Sequence, residues 1–137
     1  MNFAICILLA SILWSSPTKP AANVDLSETV GASLNSGNAY QLSAHFAKTI
    51  ELVIDTENVE FSSVQATHAE LILRSFFRKY PPHRFQFVYR GSSDRMRYST
   101  GTYLTDGHSF AVYVLMRQAS NRGFEINALH FRKDTEK

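Results

Sequence analysis

The chain has 137 residues, 45% hydrophobic and 12% aromatic, with a formal net charge of +2 and one cysteine. That is room for one domain with one modest core, and it excludes a disulfide-stapled scaffold. From Val24 to Ile72 Lys48 stands against seven acids, whereas from Leu73 to Lys137 twelve basic residues face five acids; spread through strands and turns, they read as a weakly anion-attracting surface and not a nucleic-acid face.

Phe3 to Trp14 (FAICILLASILW) is an apolar run of signal-peptide length, too short to span a bilayer. Pro17 and Pro20 break it, and Ala21-Ala22 offers a cleavage site, although Met1-Asn2 lacks the usual basic flank. The expected division is a signal peptide over 1–22 and a single domain over 23–137. The product is exported, to periplasm or extracellular space, with no stable membrane insertion after cleavage. Cys6 leaves with the signal, so thiol chemistry leaves with it.

Asp25 and Glu28 mark a helix start, Leu26, Val30 and Leu34 form its apolar stripe, and Gly37 caps its end. Asn38 with Gln41 opens a second short helix carrying Leu42 and Phe46. Thr49 to Asp55 alternates as a strand, with Asn58 to Phe61 as a short partner. Ser62 and Gln65 then have the spacing of a capping box. The helix they would open buries Ala69, Ile72, Leu73, Phe76, Phe77 and Tyr80, and Pro81-Pro82 stops it.

Four strands follow, over Arg84–Arg90, Met96–Thr105, His108–Arg117 and Gly123–Phe131, with Asp106-Gly107 as a two-residue hairpin turn. Strict alternation assigns Phe85, Phe87, Tyr89, Met96, Tyr98, Phe110, Val112, Val114, Met116, Phe124 and Ile126 to the face under the main helix. The other face receives Val88, Tyr103, Tyr113, Leu115, Leu129 and Phe131, with Arg84, Arg90, Arg97, Arg117 and Glu125. Gly101 is a candidate bulge that would shift these assignments. The fold class is α+β, helices packed on a curved antiparallel sheet.

The segments Phe61-Ser62-Ser63-Val64-Gln65-Ala66, Phe76-Phe77, Pro81-Pro82, Phe85, Gly91-Ser92-Ser93, Tyr98-Ser99-Thr100-Gly101 and Tyr113 resemble a small secreted bacterial family catalogued as domain of unknown function 4783. It lies within the nuclear-transport-factor-2-like (cystatin-like cone) superfamily. The resemblance covers Val24 to Phe131 and rests on scaffold residues. It implies a sheet curved around the long helix, frequent pairing through the sheet's other face, and an envelope or secreted setting. It brings no reaction, because the superfamily holds isomerases, dehydratases and pure binding modules.

No residue pattern supplies catalysis. The five histidines lack metal-ligand spacing, no G-x-S-x-G elbow occurs, and no cofactor or metal motif is present. A steroid-isomerase-like site needs a carboxylate base beside hydroxyl donors, and the inferred inner strands offer Tyr89 and Tyr98 but no acid. The aromatics Phe76, Phe87, Tyr89, Tyr98 and Phe110 either fill the cone or line a pocket for an apolar small molecule. Tyr103, Tyr113, Leu115 and Phe131, with Arg97 and Arg117, form the expected interface for a second copy or an envelope protein. The expected function is an exported, non-enzymatic binding or interaction module; the alternative is a small-molecule carrier or proton-transfer enzyme using the cone interior.

Overall fold

A computed structural model describes residues 26–119 and 123–134 of the chain. The leader expected over 1–22, and most of the turn before Gly123, lie outside the described residues. In order, the elements are α1 (Leu26–Ser36), α2 (Ala39–Ser43), β1 (Phe46–Ile54), β2 (Val59–Gln65), α3 (Ala66–Lys79), β3 (Pro82–Ser93), β4 (Met96–Thr105), β5 (His108–Ala119) and β6 (Gly123–Lys133). The strands form one sheet in the order β2-β1-β6-β5-β4-β3. All neighbours are antiparallel except β1 and β6.

Local chemistry explains most element ends. Gly37 takes the left-handed conformation (φ +66°) that ends α1, and Asn38 N–H donates to the Ser33 carbonyl at 2.9 Å. The Asn38 side-chain oxygen accepts from Gln41 N–H at 2.9 Å and caps α2, as the Asn-x-x-Gln spacing predicts. The capping box expected at Ser62 does not form. Pairing of β1 with β2 runs on to Thr49 opposite Gln65, which commits Ser62 to the sheet and delays α3 until Ala66.

α3 turns Ala69, Leu73, Phe76 and Phe77 into the core. Phe76 is the hub, its ring centroid 4.6 Å from Phe131, 5.2 Å from Phe110 and 5.8 Å from Tyr103. Phe110, Tyr103 and Phe131 each show no solvent exposure. Apolar area removed from water on this scale is the main stabilising term of the domain.

The register corrects the alternation reading at both margins. A two-residue turn pairs Thr105 with His108, so Tyr103 lies opposite Phe110 on the same inner face. This moves Tyr103 inward, and Arg97, Ser99 and Gly101 with it; Met96 and Tyr98 move outward. The bulge expected at Gly101 sits one strand away, where Phe87 pairs with Gly101 but Tyr89 with Thr100, leaving Val88 as the extra residue. Tyr89 therefore faces out and Arg90 in. A second irregularity in β6 sets Ala128 opposite Leu115 and Ile126 opposite Met116, so Leu129 and Phe131 join Phe124 and Ile126 inside.

Candidate functional site

The corrected register builds a polar corner on the inner face of β3 and β4. Arg90 pairs with Ser99 and Ser92 with Arg97, so these four side chains form a two-by-two patch. Directly paired residues bring their Cβ atoms to about 4.5–5.5 Å. Arg97 also pairs with Met116 on β5, which closes the corner on its apolar side. Ser27, in the first turn of α1, reaches the same place. The result is an open recess of about 420 Å³ whose lining includes Ser27, Arg90, Ser92, Arg97, Ser99 and Met116.

Both guanidinium groups lie on aromatic faces. Arg90 Cζ is 4.5 Å from the centroid of Phe87, and Arg97 Cζ is 4.0 Å from that of Phe124. Such stacking holds a planar fork in place. Phe87 is itself fixed from above, because a Cβ at Gly31 of α1 would stand 3.0 Å from its ring. Ser99 is 1% exposed, and its hydroxyl has no hydrogen-bond partner.

The outer face carries a different surface. Met96, Tyr98, Leu104, Tyr113 and Leu115 alternate outward from β4 and β5, joined by Val88 and Tyr89 from β3. Val88 is 71% and Tyr89 53% exposed. The Tyr89 and Tyr98 rings are 6.0 Å apart. A hydrogen bond with Tyr89, more than any other influence, raises the Tyr98 pKa above the ordinary phenol value.

The residues expected to line a pocket do not converge. Phe76 and Phe110 belong to the packed ring cluster, Phe87 lies half-buried under α1, and Tyr89 and Tyr98 are on the opposite side of the sheet. The expected interface also divides. Tyr113, Leu115 and Arg117 are on the outer face, whereas Tyr103 and Phe131 are core and Arg97 is in the recess. Sequence reasoning missed Ser99 and Ser27 and assigned Arg90 to the wrong face. The signal for Arg97 and Ser99 was the Asp106-Gly107 turn, which fixes the parity of β4.

Tyr103, His83 and His130 lie outside the recess. Tyr103 donates its hydroxyl to the Tyr80 carbonyl at 2.6 Å, and burial pushes its pKa well above the phenol range. His83 Nε2 contacts Asp106 at 2.8 Å in the open. His130 Nε2 lies 3.4 Å from Glu51, too far for a good hydrogen bond, and has no partner within bonding geometry. Among the described residues, no three His, Cys, Asp or Glu side chains converge as a metal site requires.

An open sheet curved over helices is the cone of the nuclear-transport-factor-2-like proteins. A protein of unknown function described as NTF-2 like, from Silicibacter pomeroyi, shares it at 12% identity and a TM-score of 0.59, covering 80% of this chain and 90% of that one. The chain belongs to the DUF4783 family (domain of unknown function), which matches it over residues 27–132. It is similar to a family member from Bacteroides uniformis (21% identity, TM-score 0.74, covering 82% of this chain and 100% of that one). A member from Bacteroides fragilis is 25% identical, with a TM-score of 0.70 over 77% of this chain and 96% of that one. No curated protein matches the sequence. The fold and family expected from the helix cap, aromatic and turn residues are thus borne out, and neither carries a reaction.

Proposed function

We propose that the protein is an exported, non-enzymatic binding module whose copies pair through the outer face of the sheet. The observation that carries this reading is the apolar and aromatic surface of Val88, Tyr89, Met96, Tyr98, Leu104, Tyr113 and Leu115. The three strands that carry it, each of about ten residues, present on the order of 500 Å² of sheet. That is more than half of the roughly 800 Å² per partner of a standard interface, before side-chain relief is counted. Export is supported by the apolar run Phe3–Trp14 followed by prolines and Ala21-Ala22. A proton-transfer role has less support, because the described lining of the recess offers two arginines and three serines but no carboxylate base.

Light scattering and sedimentation of residues 23–137 at about 100 µM, far above a micromolar Kd, test the pairing. The expected mass is that of a dimer. Tyr113→Lys with Leu115→Lys should yield a monomer with an unchanged circular dichroism spectrum. A monomeric parent chain refutes the pairing.

A further inference from the structure

Beside Tyr113, on the outer face, a histidine turns a buried nitrogen toward a carboxylate. We propose that pairing of two copies is controlled by pH through His130: a proton taken up by each imidazole completes an ion pair with Glu51 and tightens the pairing as pH falls. This inference rests on the outer-face pairing of the binding module and adds its regulation.

His130 stands opposite Tyr113 on β5 and Val53 on β1, so it extends the outer row that carries Tyr113 and Leu115. Its ring centroid is 5.3 Å from that of Tyr113, and its side chain is 16% exposed. Nε2 is buried, lacks a hydrogen-bond partner and lies 3.4 Å from Glu51 Oε2. Glu51 pairs with Ala128, two residues before His130 on the same side of β6, and its side chain is 48% exposed. A neutral imidazole offers Nε2 either as an acceptor facing another acceptor or as a donor at poor range. The imidazolium carries N–H on both nitrogens and makes the same approach a charge-assisted contact.

A second copy seated on Tyr113 and Leu115 covers this row and takes water from Glu51. Desolvating an unpaired carboxylate is costly, and a charged His130 offsets that cost. Pairing and protonation therefore favour one another, and histidine is the side chain whose charge ordinarily changes between about pH 5 and pH 8. Charges on the neighbouring strands agree with this sign. Arg117 stands opposite Glu125 across β5 and β6. Arg132 follows the Phe131–Ile54 pair just as Asp55 does, and the Asp55 carboxylate accepts from Lys133 N–H at 3.0 Å. Glu60 on β2, opposite Val53, adds a second acid on the side of Glu51.

The test is sedimentation velocity of residues 23–137, diluted serially from about 100 µM, in buffers of equal ionic strength from about pH 7.5 to about pH 5.5. Over that range the dissociation constant of the pair is expected to fall by about tenfold, because a partly exposed ion pair is worth about threefold and each copy contributes one. His130→Gln should pair with a dissociation constant that does not change with pH. Glu51→Gln should reverse the trend, since a proton on His130 then buries a charge without a partner. Glu51 is half exposed, so Glu51→Gln keeps its fold by circular dichroism and decides the question even where His130→Gln does not fold. A dissociation constant that is the same at both ends of the range, that rises on acidification, or that keeps the parent's pH dependence in either variant overturns the regulation and leaves the pairing standing. A chain that is monomeric at every pH overturns both.

Discussion

Replacing Tyr103 by Phe isolates one hydroxyl inside an otherwise unchanged core. The ring is fully buried, with centroids of Phe76, Phe77, Phe110 and Phe131 between 5.8 and 6.1 Å away, and phenylalanine keeps every one of those contacts. What is lost is the 2.6 Å hydrogen bond to the Tyr80 carbonyl at the end of α3. A net hydrogen bond contributes about 1 kcal/mol, and an acceptor left partly unsatisfied adds to the loss, so about 1–2 kcal/mol is expected at neutral pH. For a domain of this size that lowers the thermal midpoint by roughly 4–8 °C. The difference must also depend on pH. Burial raises the Tyr103 pKa in the folded chain, while the unfolded phenol titrates near about 10. Below that value the hydroxyl's contribution is complete. Above it the unfolded chain releases a proton that the folded chain retains, so stability falls as pH rises toward the folded value. Urea titrations followed by circular dichroism should therefore show the gap between parent and variant narrowing from about pH 9 to pH 11. A variant as stable as the parent at pH 7, or a gap independent of pH, refutes the assignment of Tyr103 as a satisfied core residue. Either result would return the cone interior to consideration as a chemical site.

Gly101→Ala should cost about 1–3 kcal/mol, the usual penalty of overpacking. A Cβ there would stand 2.5 Å from Phe85 Cζ and 2.7 Å from the Gln86 carbonyl, and the ring can swing aside but the backbone cannot; an unchanged urea midpoint would refute the close approach. Deleting Val88 should cost less than deleting Gln86. The first removes only the unpaired residue of the bulge, whereas the second forces Phe87 out of its place beneath Gly31, and equal losses by denaturation would contradict the register.

The long helix, the four-strand run and both short helices were legible because each is written in local chemistry. Asn38 and Gly37 mark ends, Leu73, Phe76 and Phe77 mark a face, and Pro81-Pro82 marks a stop. The start of α3 was not legible, since Ser62 to Gln65 satisfies a capping spacing while its backbone bonds belong to β1. Face assignment failed where it depended on neighbours. In β4 the information was present, because a two-residue turn at Asp106-Gly107 dictates that Tyr103 faces with Phe110. In β3 and β6 it was not, because nothing in Phe87-Val88-Tyr89 or Ile126-Asn127-Ala128 marks an extra residue without the partner strand.

The bulge at Val88 has a definable cause, and it is what makes the recess. From one end of the β3–β4 hairpin, the turn at Asp94-Arg95 pairs Ser93 with Met96, which carries Arg90 to Ser99 and Tyr89 to Thr100. From the other end, Phe85 opposite Tyr103 and Phe87 opposite Gly101 must face inward, because their rings fill the space beneath α1 and over the glycine. The register set by the turn and the register set by the buried rings differ by one residue. A regular strand satisfies only one of them, at the cost of exposing Phe87 or rebuilding the turn. Val88 takes up the difference at an exposed position, where an unpaired residue costs least. The consequence reaches both faces at once. Tyr89 is turned outward to join Tyr98, and Arg90 is turned inward to stand beside Ser99. A regular strand of this sequence would bury Tyr89 and strand Arg90 outside, leaving the buried Ser99 hydroxyl without its cross-strand arginine. The recess and the outer aromatic surface therefore share one origin in the conflict between a turn and a core.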